Sequence, residues 1–329
     1  MTPGLEDPHV AVLAGGLTYE REVSLRSGRR VAEAIRALGA EATLLDADVD
    51  LLATLAAHRP DAVIVALHGS AGEDGALRGV LELVGMPYVG STAAASRLAW
   101  DKPSAKALIR AAGLCTPDWV ALTHSTFREL GSRPVLDGIV RTLGLPLMVK
   151  PAQGGSALGA HRVQVVEDLP AAMVGCFAYG DTVLIERLVA GVEVAVSVID
   201  GPVGTASTAS TGARALPVVE IVPSDAMFDY AARYTPGRTT YHVPARLDPV
   251  VAARVAELAE RAHAVLGLRD LSRTDAIVTS DGTVWFLEVN VAPGMTETSM
   301  TPMAIRAAGL ELGELCLNLV RRAAERGAR

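Results

Sequence analysis

The sequence predicts an α/β fold whose N-terminal part is a doubly wound parallel sheet. Strand and helix patterns alternate over roughly the first 90 residues, as expected of such a sheet. The strand DAVIVALHG at 61–69 is apolar throughout, which is typical of a strand buried on both faces. Later strands are joined by glycine-containing turns at 145–163 and 272–290. The chain of 329 residues is therefore long enough for two or three domains.

Two loops of the N-terminal unit follow predicted strands. The segment HVAVLAGG at 9–16 is a strand and turn, and the helix after it has Val31, Ile35 and Leu38 at helical spacing. The loops GGLTYE at 15–20 and HGSAGEDG at 68–75 lie at the carboxyl ends of strands, where open α/β sheets bind ligands. The first loop does not fit the pattern GxGxxG, so a dinucleotide site is weakly supported.

A second unit begins after TPDWVAL at 116–122. Its glycine-rich loop at 154–159 can bring backbone N–H groups close to phosphate oxygens, and Lys150 before it adds a positive charge. No GK[ST] follows the glycines, so this is not a Walker A loop. Two apolar strands at 182–200 place Glu186 and Glu193 near their bend. Residues 201–247 are polar and irregular, and we predict a lid or binding loop there.

The stretch WFLEVNVAPG at 285–294 places two polar residues in an apolar strand. Residues two apart in a strand share a face, so Glu288 and Asn290 project together. The preceding strand and its Ser-Asp-Gly turn would bring Asp275 beside them. Three oxygen donors of this kind suit Mg²⁺. The alternative interpretation is a set of solvated residues on an exposed sheet face.

Composition narrows the class of partner. A net charge of −7 and a pI of about 5.6 argue against nucleic acid or an anionic membrane and favour small metabolites. The N-terminus lacks a basic segment with an apolar core, and no apolar run approaches about 18 residues, so we expect a cytoplasmic protein. Cys115, Cys176 and Cys316 lie far apart without metal spacing, and we expect buried, reduced thiols.

Lysine is rare in this chain. Of 30 basic residues only Lys102, Lys106 and Lys150 are lysines, and a crowded phosphate site can require a compact ammonium rather than a guanidinium. We expect Lys150 to serve such a site and Lys106 to be an ordinary surface lysine.

These motifs together resemble the D-alanine–D-alanine ligases of the ATP-grasp superfamily. The resemblance runs from His9 onward through REVSLRSG, HGSAGEDG, MPYVGS, WDKPSAK, VKPAQGGSALG, LIERLVAGVE, FDYAARY, LPVVEI and FLEVNVAPGMTETSMTPM. It implies a substrate domain at 1–96, a central ATP-grasp domain at 97–188, and a C-terminal ATP-grasp and metal-binding domain with a lid at 189–329. The last two domains would clamp ATP, and a homodimer is expected.

The resemblance also implies the residues of the site. The nucleotide would be bound by Lys102, Lys150, Ser156, Glu186, Glu193 and Arg233. Two Mg²⁺ ions, or Mn²⁺ in their place, would be bound by Asp275, Glu288 and Asn290. The amino-acid substrates would be bound by Glu20, His68, Arg273 and Ser299. The catalytic set would be Glu20, Ser156, Tyr234, Arg273, Gly294 and Ser299.

The implied reaction forms D-alanyl-D-alanine for peptidoglycan precursors. ATP phosphorylates the carboxylate of the first D-alanine, and the amine of the second displaces phosphate from the acyl phosphate. Glu20 would hold the first ammonium, and with Ser156 and Tyr234 it would tie down the lid. Taken alone, Glu20 has an alternative interpretation as a first-turn acid facing a helix dipole.

Three positions depart from the family pattern. Ala157 replaces a second serine, Arg233 replaces a lysine before the lid tyrosine, and VAPGMT at 291–296 replaces a more polar sequence. Tyr234 favours an amine nucleophile and hence a peptide product over an ester.

Two alternatives stay open at this point. One is a biosynthetic paralogue that activates another amino acid, including one that closes an amide within a single molecule. The other is a nucleotide-binding regulatory protein without turnover.

Overall fold

The computed structural model describes residues 8–201, 212–224 and 237–328. Its first sheet has the strand order β2-β1-β3-β4, and all neighbouring strands are parallel, as predicted. The elements of this unit are β1 (Val10–Ala14), α1 (Arg21–Arg36), β2 (Ala42–Asp46), α2 (Leu51–His58), β3 (Ala62–Val65), α3 (Ser70–Glu73), α4 (Ala76–Leu83), β4 (Tyr88–Val89) and α5 (Ala93–Trp100).

The buried residues of this unit follow the predicted strand and helix patterns. Every residue of β1 and β3 is buried, as the apolar strand patterns predict. Helix α1 buries Val31 and Ile35 against the sheet, whereas Leu38 lies beyond the end of the helix and is 48% exposed. Because β1 and β3 are adjacent and parallel, the loops that follow them meet at one edge of the sheet.

The second sheet is antiparallel, with the order β5-β8-β6-β7. Its strand β6 alternates, so that Leu147 and Val149 are buried in the core while Lys150 projects from the opposite face. The elements of this unit are α6 (Lys102–Ala111), β5 (Trp119–Thr123), α7 (His124–Leu130), α8 (Ser132–Leu143), β6 (Leu147–Pro151), β7 (His161–Val163), α9 (Leu169–Phe177) and β8 (Thr182–Arg187).

The third sheet has the order β12-β11-β9-β13-β14, and β10 pairs with β9. The predicted hairpin at 272–290 is present as β13 and β14. The elements of this unit are β9 (Val192–Asp200), β10 (Ala213–Ala215), β11 (Val219–Pro223), β12 (Thr239–His242), α10 (Pro249–Val265), β13 (Leu271–Val278), β14 (Val284–Asn290), α11 (Met300–Ala307) and α12 (Leu312–Arg326).

The prediction of a wholly irregular segment at 201–247 is wrong for the part that the structure describes. Strands β10, β11 and β12 lie within it and extend the third sheet. Val219 and Ile221 are buried there because β11 pairs with the apolar strand β9. The lid residues Arg233 and Tyr234 lie outside the described residues.

The C-terminal helix α12 returns to the first unit. Its Leu319 and Val320 share a buried cluster with Val31 and Ile35 of α1. At Gly313 an added Cβ would lie 2.4 Å from the carbonyl oxygen of Ala34, so only glycine allows this approach. The two ends of the described chain therefore pack as one body, which holds the first and third sheets together. None of the described helices combines the length and apolarity needed to cross a membrane.

Candidate active site

Two adjacent cavities lie where the three sheets meet. The larger has a volume of about 340 Å³ and lies between the second and third sheets. The smaller has a volume of about 70 Å³ and lies between loops of the first unit and the third sheet. Both are lined by Lys102, Gly154, Gly155 and Glu288, which form their shared wall.

Every described residue that the sequence assigned to the site lines one of these cavities. The larger is lined by Lys102, Lys150, Glu186, Glu193, Asp275 and Glu288. The smaller is lined by Glu20, His68, Lys102, Ser156, Arg273, Glu288, Asn290, Gly294 and Ser299. The structure therefore brings these residues from three units together around two neighbouring cavities.

The prediction that Lys106 is a surface lysine is wrong. Its side chain is completely buried, and Nζ lies 2.8 Å from Glu186 Oε2. Lys150 lies 2.6 Å from the other oxygen of the same carboxylate, and Lys102 lies 3.5 Å from Glu288 Oε2. Lys102 also donates to the Gly154 carbonyl at 2.6 Å. Lys102 and Lys150 thus line the larger cavity, and Lys106 lies behind Glu186, which lines it as well.

Burial and charge act in opposite directions on this cluster. Burial lowers the pKa of Lys106 to about 8, despite the attraction of Glu186, so its ammonium remains mostly charged at neutral pH. Burial would also lower the pKa of Lys150, but Glu186, Glu288 and Asp275 outweigh it and raise that pKa above its usual value. Burial would raise the pKa of Glu186, yet the two lysines lower it below its usual value. Lys106 and Lys150, with the Glu186 carboxylate that they share, carry a net charge of +1, whereas Glu288 and Asp275 add negative charge nearby.

The β13–β14 register brings the predicted metal ligands together. Asp275 pairs with Glu288, and Arg273 pairs with Asn290, across the hairpin. Arg273 donates to both oxygens of Asp275, at 2.7 and 2.8 Å, so this carboxylate is held in one orientation. Asn290 Oδ1 accepts from the Ala292 N–H at 2.7 Å.

This donor set fits a hard divalent cation. Two carboxylates and an amide oxygen are oxygen ligands of the type that Mg²⁺ prefers, and incomplete protein coordination leaves room for phosphate oxygens. Within the described residues there is no cluster of three or more His, Cys, Asp or Glu side chains that could hold a metal by itself. A cation held by Asp275, Glu288 and Asn290 would therefore need phosphate oxygens or water to complete its coordination.

Glu20 is not an exposed acid of the first helical turn. It precedes α1, is 5% exposed, and makes no side-chain cap to the helix. Instead, Ser156 Oγ donates to Glu20 Oε1. Ser156 and Ala157 have φ values of 53° and 54°, in the left-handed region where few L residues lie. This strained turn of the glycine-rich loop is held against the first unit by the Glu20–Ser156 hydrogen bond.

His68 connects two loops of the site. Its Nδ1 faces the Ala292 carbonyl at 3.0 Å and must carry the proton, and its Nε2 lies 2.9 Å from Ser27 Oγ. Burial lowers the pKa of His68, which favours this neutral tautomer. Ser27 Oγ also accepts from the Met295 N–H at 3.1 Å. Both ring nitrogens are thus engaged with protein, and His68 holds the segment 291–296 against α1.

Further contacts to the same segment come from arginines of the first unit. Arg30 donates to the carbonyls of Met295 and Thr296, at 3.1 and 2.6 Å. Arg78, which is buried, donates to the carbonyls of Gly72 and Val291. Because these bonds reach the backbone, they do not depend on the side chains of VAPGMT.

Gly294 and Ser299 lie in contact at the end of that segment. A Cβ on Gly294 would lie 2.7 Å from Ser299 Oγ, too close for any larger residue without displacement of that hydroxyl. Ser299 Oγ accepts from the Thr296 N–H at 3.1 Å and lies 2.8 Å from the Thr296 hydroxyl. Glycine at 294 therefore lets the loop pass directly over the smaller cavity.

Glu73 is a site residue that the sequence analysis did not assign. It is 5% exposed, lines the smaller cavity, and accepts from the Gly69 N–H at 2.9 Å. Gly69 has a φ of 68°, and a Cβ there would lie 2.7 Å from Glu20 Oε2, so two carboxyl groups approach this glycine. Burial, then repulsion by Glu20, raises the pKa of Glu73 to about 8. Glu73 belongs to HGSAGEDG, a loop at the carboxyl end of a strand, and that position could have identified it as a site residue.

The raised pKa of Glu73 predicts a pH-dependent stability. The folded protein holds a proton on Glu73 that the unfolded chain releases above pH 4.5, so this residue makes stability fall as pH rises from about 4.5 to about 8. Glu73→Gln mimics the protonated form and removes this loss. We expect the Tm difference, variant minus wild type, to be larger by roughly 3 °C or more at pH 8.5 than at pH 5.

Differential scanning fluorimetry of both proteins across this pH range measures the effect. The exposed Glu33→Gln variant, on α1, is the control for the loss of one negative charge. A Tm difference for Glu73→Gln that stays constant with pH would contradict a raised pKa.

The expectation of buried thiols holds for two cysteines and is wrong for the third. Cys176 and Cys316 are buried, and burial raises the pKa of each thiol to about 12. Cys115 is exposed, although its carbonyl accepts from the Phe286 N–H. Cys115 lies in an irregular connection between α6 and β5, which has no periodicity from which its exposure could be predicted.

Comparison with known proteins agrees with the geometry. Residues 47–91 match the family model described as "D-ala D-ala ligase N-terminus", and residues 108–321 match "D-ala D-ala ligase C-terminus". The D-alanine–D-alanine ligase of Anaeromyxobacter sp. (strain K) is 41% identical over 307 residues, which cover 93% of this chain and 94% of that protein.

Solved structures give the same result. The crystal structure of the D-alanine–D-alanine ligase from Bacillus anthracis has a TM-score of 0.80 at 30% identity, with 97% of this chain and 98% of that chain covered. The structure of that ligase complexed with ATP has a TM-score of 0.78 at 28% identity, with the same shares covered. The fold described above is thus the ATP-grasp fold of these enzymes, and the chain belongs to the D-alanine–D-alanine ligase family.

Proposed function

We propose that this protein joins two D-alanine molecules into D-alanyl-D-alanine, with conversion of ATP to ADP and phosphate. The observation that carries the proposal is that the larger cavity, lined by Lys150, Glu186 and Asp275, and the smaller cavity, lined by Glu20, Arg273 and Ser299, meet at Lys102, the glycine-rich loop and Glu288. A phosphoryl group at this wall can reach a carboxylate in the smaller cavity. The product supplies peptidoglycan precursor synthesis.

ATP occupies the larger cavity in this proposal. Glu186 and Glu193 contact the adenine and ribose, while Lys102 and Lys150 neutralise the phosphates. The loop at 154–159 adds backbone N–H groups, and Ala157 keeps such a donor although it lacks a hydroxyl. Arg233 adds a further positive charge from outside the described residues.

Two Mg²⁺ ions, or Mn²⁺, would be held by Asp275, Glu288 and Asn290. When bound, they supply positive charge to the phosphate oxygens during transfer. Arg273 supports this arrangement because it holds Asp275 through two hydrogen bonds.

Phosphoryl transfer comes first in the proposed mechanism. Glu20 binds the ammonium of the first D-alanine, and His68 lies near its carboxylate. One carboxylate oxygen attacks the terminal phosphorus, the bond to ADP breaks, and an acyl phosphate forms. Lys150 and Lys102 stabilise the charge on the transferring group without changing their own covalent state.

Peptide formation follows in the smaller cavity. Ser299 binds the carboxylate of the second D-alanine, whose amine attacks the acyl carbon. Arg273 and the Gly294 N–H stabilise the negative oxygen of the tetrahedral intermediate, and phosphate then leaves. Tyr234, with Ser156 and Glu20, closes the lid over the site; the Glu20–Ser156 hydrogen bond supports this part of the proposal.

Phosphate release from MgATP tests the function. The purified protein is given D-alanine, L-alanine, D-serine and D-lactate, singly and in pairs, and product masses are recorded. We expect release with D-alanine alone and a product with the mass of its dipeptide. Release that requires another amino acid, or no release while MgATP binds, would contradict the proposal.

We also propose the division into domains at 1–96, 97–188 and 189–329, together with a homodimer. The first sheet ends at residue 89, the second spans 119–187 and the third begins at residue 192, which supports the division. Light scattering after size-exclusion chromatography measures the mass in solution, and a mass near 34.2 kDa would contradict the dimer.

A further inference from the structure

Lys106 lies behind the wall of the larger cavity rather than on it. It follows Lys102 by one turn of α6, so both side chains project from the same face of the helix. Its Nζ donates to Thr116 Oγ1 at 2.6 Å, lies 2.8 Å from Glu186 Oε2, and lies 5.1 Å from the centre of the Trp119 ring. The ammonium is enclosed by these three groups.

Glu186 is shared between two ammonium groups. Its Oε1 lies 2.6 Å from Lys150 Nζ, and its Oε2 faces Lys106. Within the described residues Oε2 is buried and has no well-aligned hydrogen bond, so the charge of Lys106 is what compensates this oxygen. Removal of one partner from a buried ion pair leaves the other charge uncompensated, which is costly.

Lys106 is linked to both sheets that border the larger cavity, directly through Glu186 and indirectly through Thr116. Glu186 belongs to β8 of the second sheet, whereas Thr116 Oγ1 donates at 2.9 Å to the carbonyl of Phe286 in β14. Strand β14 also carries Glu288, which lines the cavity. Lys106 therefore belongs to a chain of polar contacts that joins the adenine side of the cavity to the strand of the proposed metal ligands.

Composition indicates that an ammonium is required here. The chain uses arginine at all but three of its 30 basic positions, and Lys106 is one of the three. The side chain is fully buried between Glu186, Thr116 and Trp119. A planar guanidinium is larger than an ammonium and presents its donors in a fixed fork, which this enclosure does not match.

We propose that Lys106 is a positioning residue for nucleotide binding, which acts by sharing the Glu186 carboxylate with Lys150. While Lys106 neutralises part of the Glu186 charge, Glu186 attracts the Lys150 ammonium less strongly, and Lys150 can bind the phosphates. Without Lys106, Glu186 attracts Lys150 more strongly and draws its ammonium away from the nucleotide. This inference rests on the proposed function in one respect, that ATP occupies the larger cavity.

Lys106→Met tests the inference because it keeps the length of the stem and removes the charge. The Kd for MgATP, measured by displacement of a fluorescent ATP analogue, and the KM for ATP should both rise about tenfold. Since Lys106 contacts no reacting atom, kcat should change by less than about threefold, and the KM for D-alanine should not change. A purely structural role would lower the Tm without altering the affinity for ATP.

Arg110→Met is the matched control. Arg110 lies on the same helix and over the same Trp119 ring, at 4.2 Å, but is exposed and bonds Asp118 rather than Glu186. We expect it to leave the affinity for ATP unchanged. In a Glu186→Gln background, Lys106→Met should raise the Kd for MgATP less than about twofold further, because the charge through which it acts is already gone.

Several outcomes would overturn the inference. One is a folded Lys106→Met protein whose Kd and KM for ATP stay within about twofold of wild type, and another is additive effects of the two substitutions. If Lys106→Met does not fold, Thr116→Val removes the partner hydroxyl and should raise the Kd about threefold; an unchanged Kd counts against the inference. A wild-type protein that binds MgATP without ligating D-alanine contradicts the proposed function alone, whereas one that binds no nucleotide contradicts both.

Discussion

Replacement of Glu288 by glutamine is expected to reduce kcat for D-alanine-dependent phosphate release by about 10³-fold or more. Glu288 lines both cavities, pairs with Asp275 across the hairpin, and lies 3.5 Å from Lys102. Glutamine keeps the size of the side chain but removes the charge that a divalent cation and Lys102 need. The loss therefore falls on transfer of the phosphoryl group rather than on the fold.

The measurement is kcat at saturating ATP and D-alanine over a series of Mg²⁺ concentrations, with Tm recorded in parallel. Glu297→Gln is the control, since Glu297 is an exposed acid whose ion-pair partner is Arg26. Asp275→Asn should cause a loss of similar size. Activity of Glu288→Gln near that of wild type would show that Glu288 is not a metal ligand and would leave the solvated sheet face as the better interpretation.

The hairpin that carries Glu288 was predictable because its signals are local. Alternation within β14 fixes which residues share a face, and a short turn fixes the partner strand. The turn pairs Val278 with Val284, and an uninterrupted register from that pair would place Asp275 opposite Leu287. A β-bulge between Asp275 and Ala276 shifts the pairing so that Asp275 lies opposite Glu288, and these two facts do not predict that shift. Site residues of the first unit were predictable because their motifs lie at strand ends, where parallel sheets bind ligands.

The environment of Lys106 was not predictable because its partners are distant in sequence. Helical spacing places Lys102 and Lys106 on one face, but it does not say whether that face meets solvent or a buried carboxylate on β8. The rarity of lysine in the chain was the correct signal, and it applied to all three lysines. The prediction that Lys106 is an ordinary surface lysine went against that signal.

The strands missed between residues 201 and 247 show a second limit. Strands β10, β11 and β12 have three to five residues each, and proline or polar residues interrupt their pattern. They are strands because β9 and β11 offer edges on which they pair. The packing of α12 against α1 was likewise not predictable, since the amphipathic pattern of a helix predicts a buried face but not the element that packs against it.

Replacement of Arg273 by methionine is expected to lower kcat by about 10²- to 10³-fold, measured at a temperature below the Tm of the variant. The Tm should also fall, because the buried Asp275 carboxylate loses its partner. Arg273 is buried and lines the smaller cavity beside Gly294 and Ser299. Burial would lower its pKa, but Asp275 and Glu288 raise it, so the guanidinium stays charged at every pH at which the enzyme works. A fixed positive charge that water cannot reach stabilises a developing oxyanion more than a solvated one does.

Arg273→Lys separates the two parts that this residue can play. A lysine keeps the charge but cannot donate to both oxygens of Asp275, a contact that now involves Nε and Nη2. If Arg273 served only to orient Asp275, the variant would need more Mg²⁺ for half-maximal rate and would recover wild-type kcat at saturation. We expect instead a kcat that stays about tenfold or more below wild type at saturating Mg²⁺, because the ammonium cannot reach the position of the guanidinium at the oxyanion. Full recovery at high Mg²⁺ would assign Arg273 to the metal site alone.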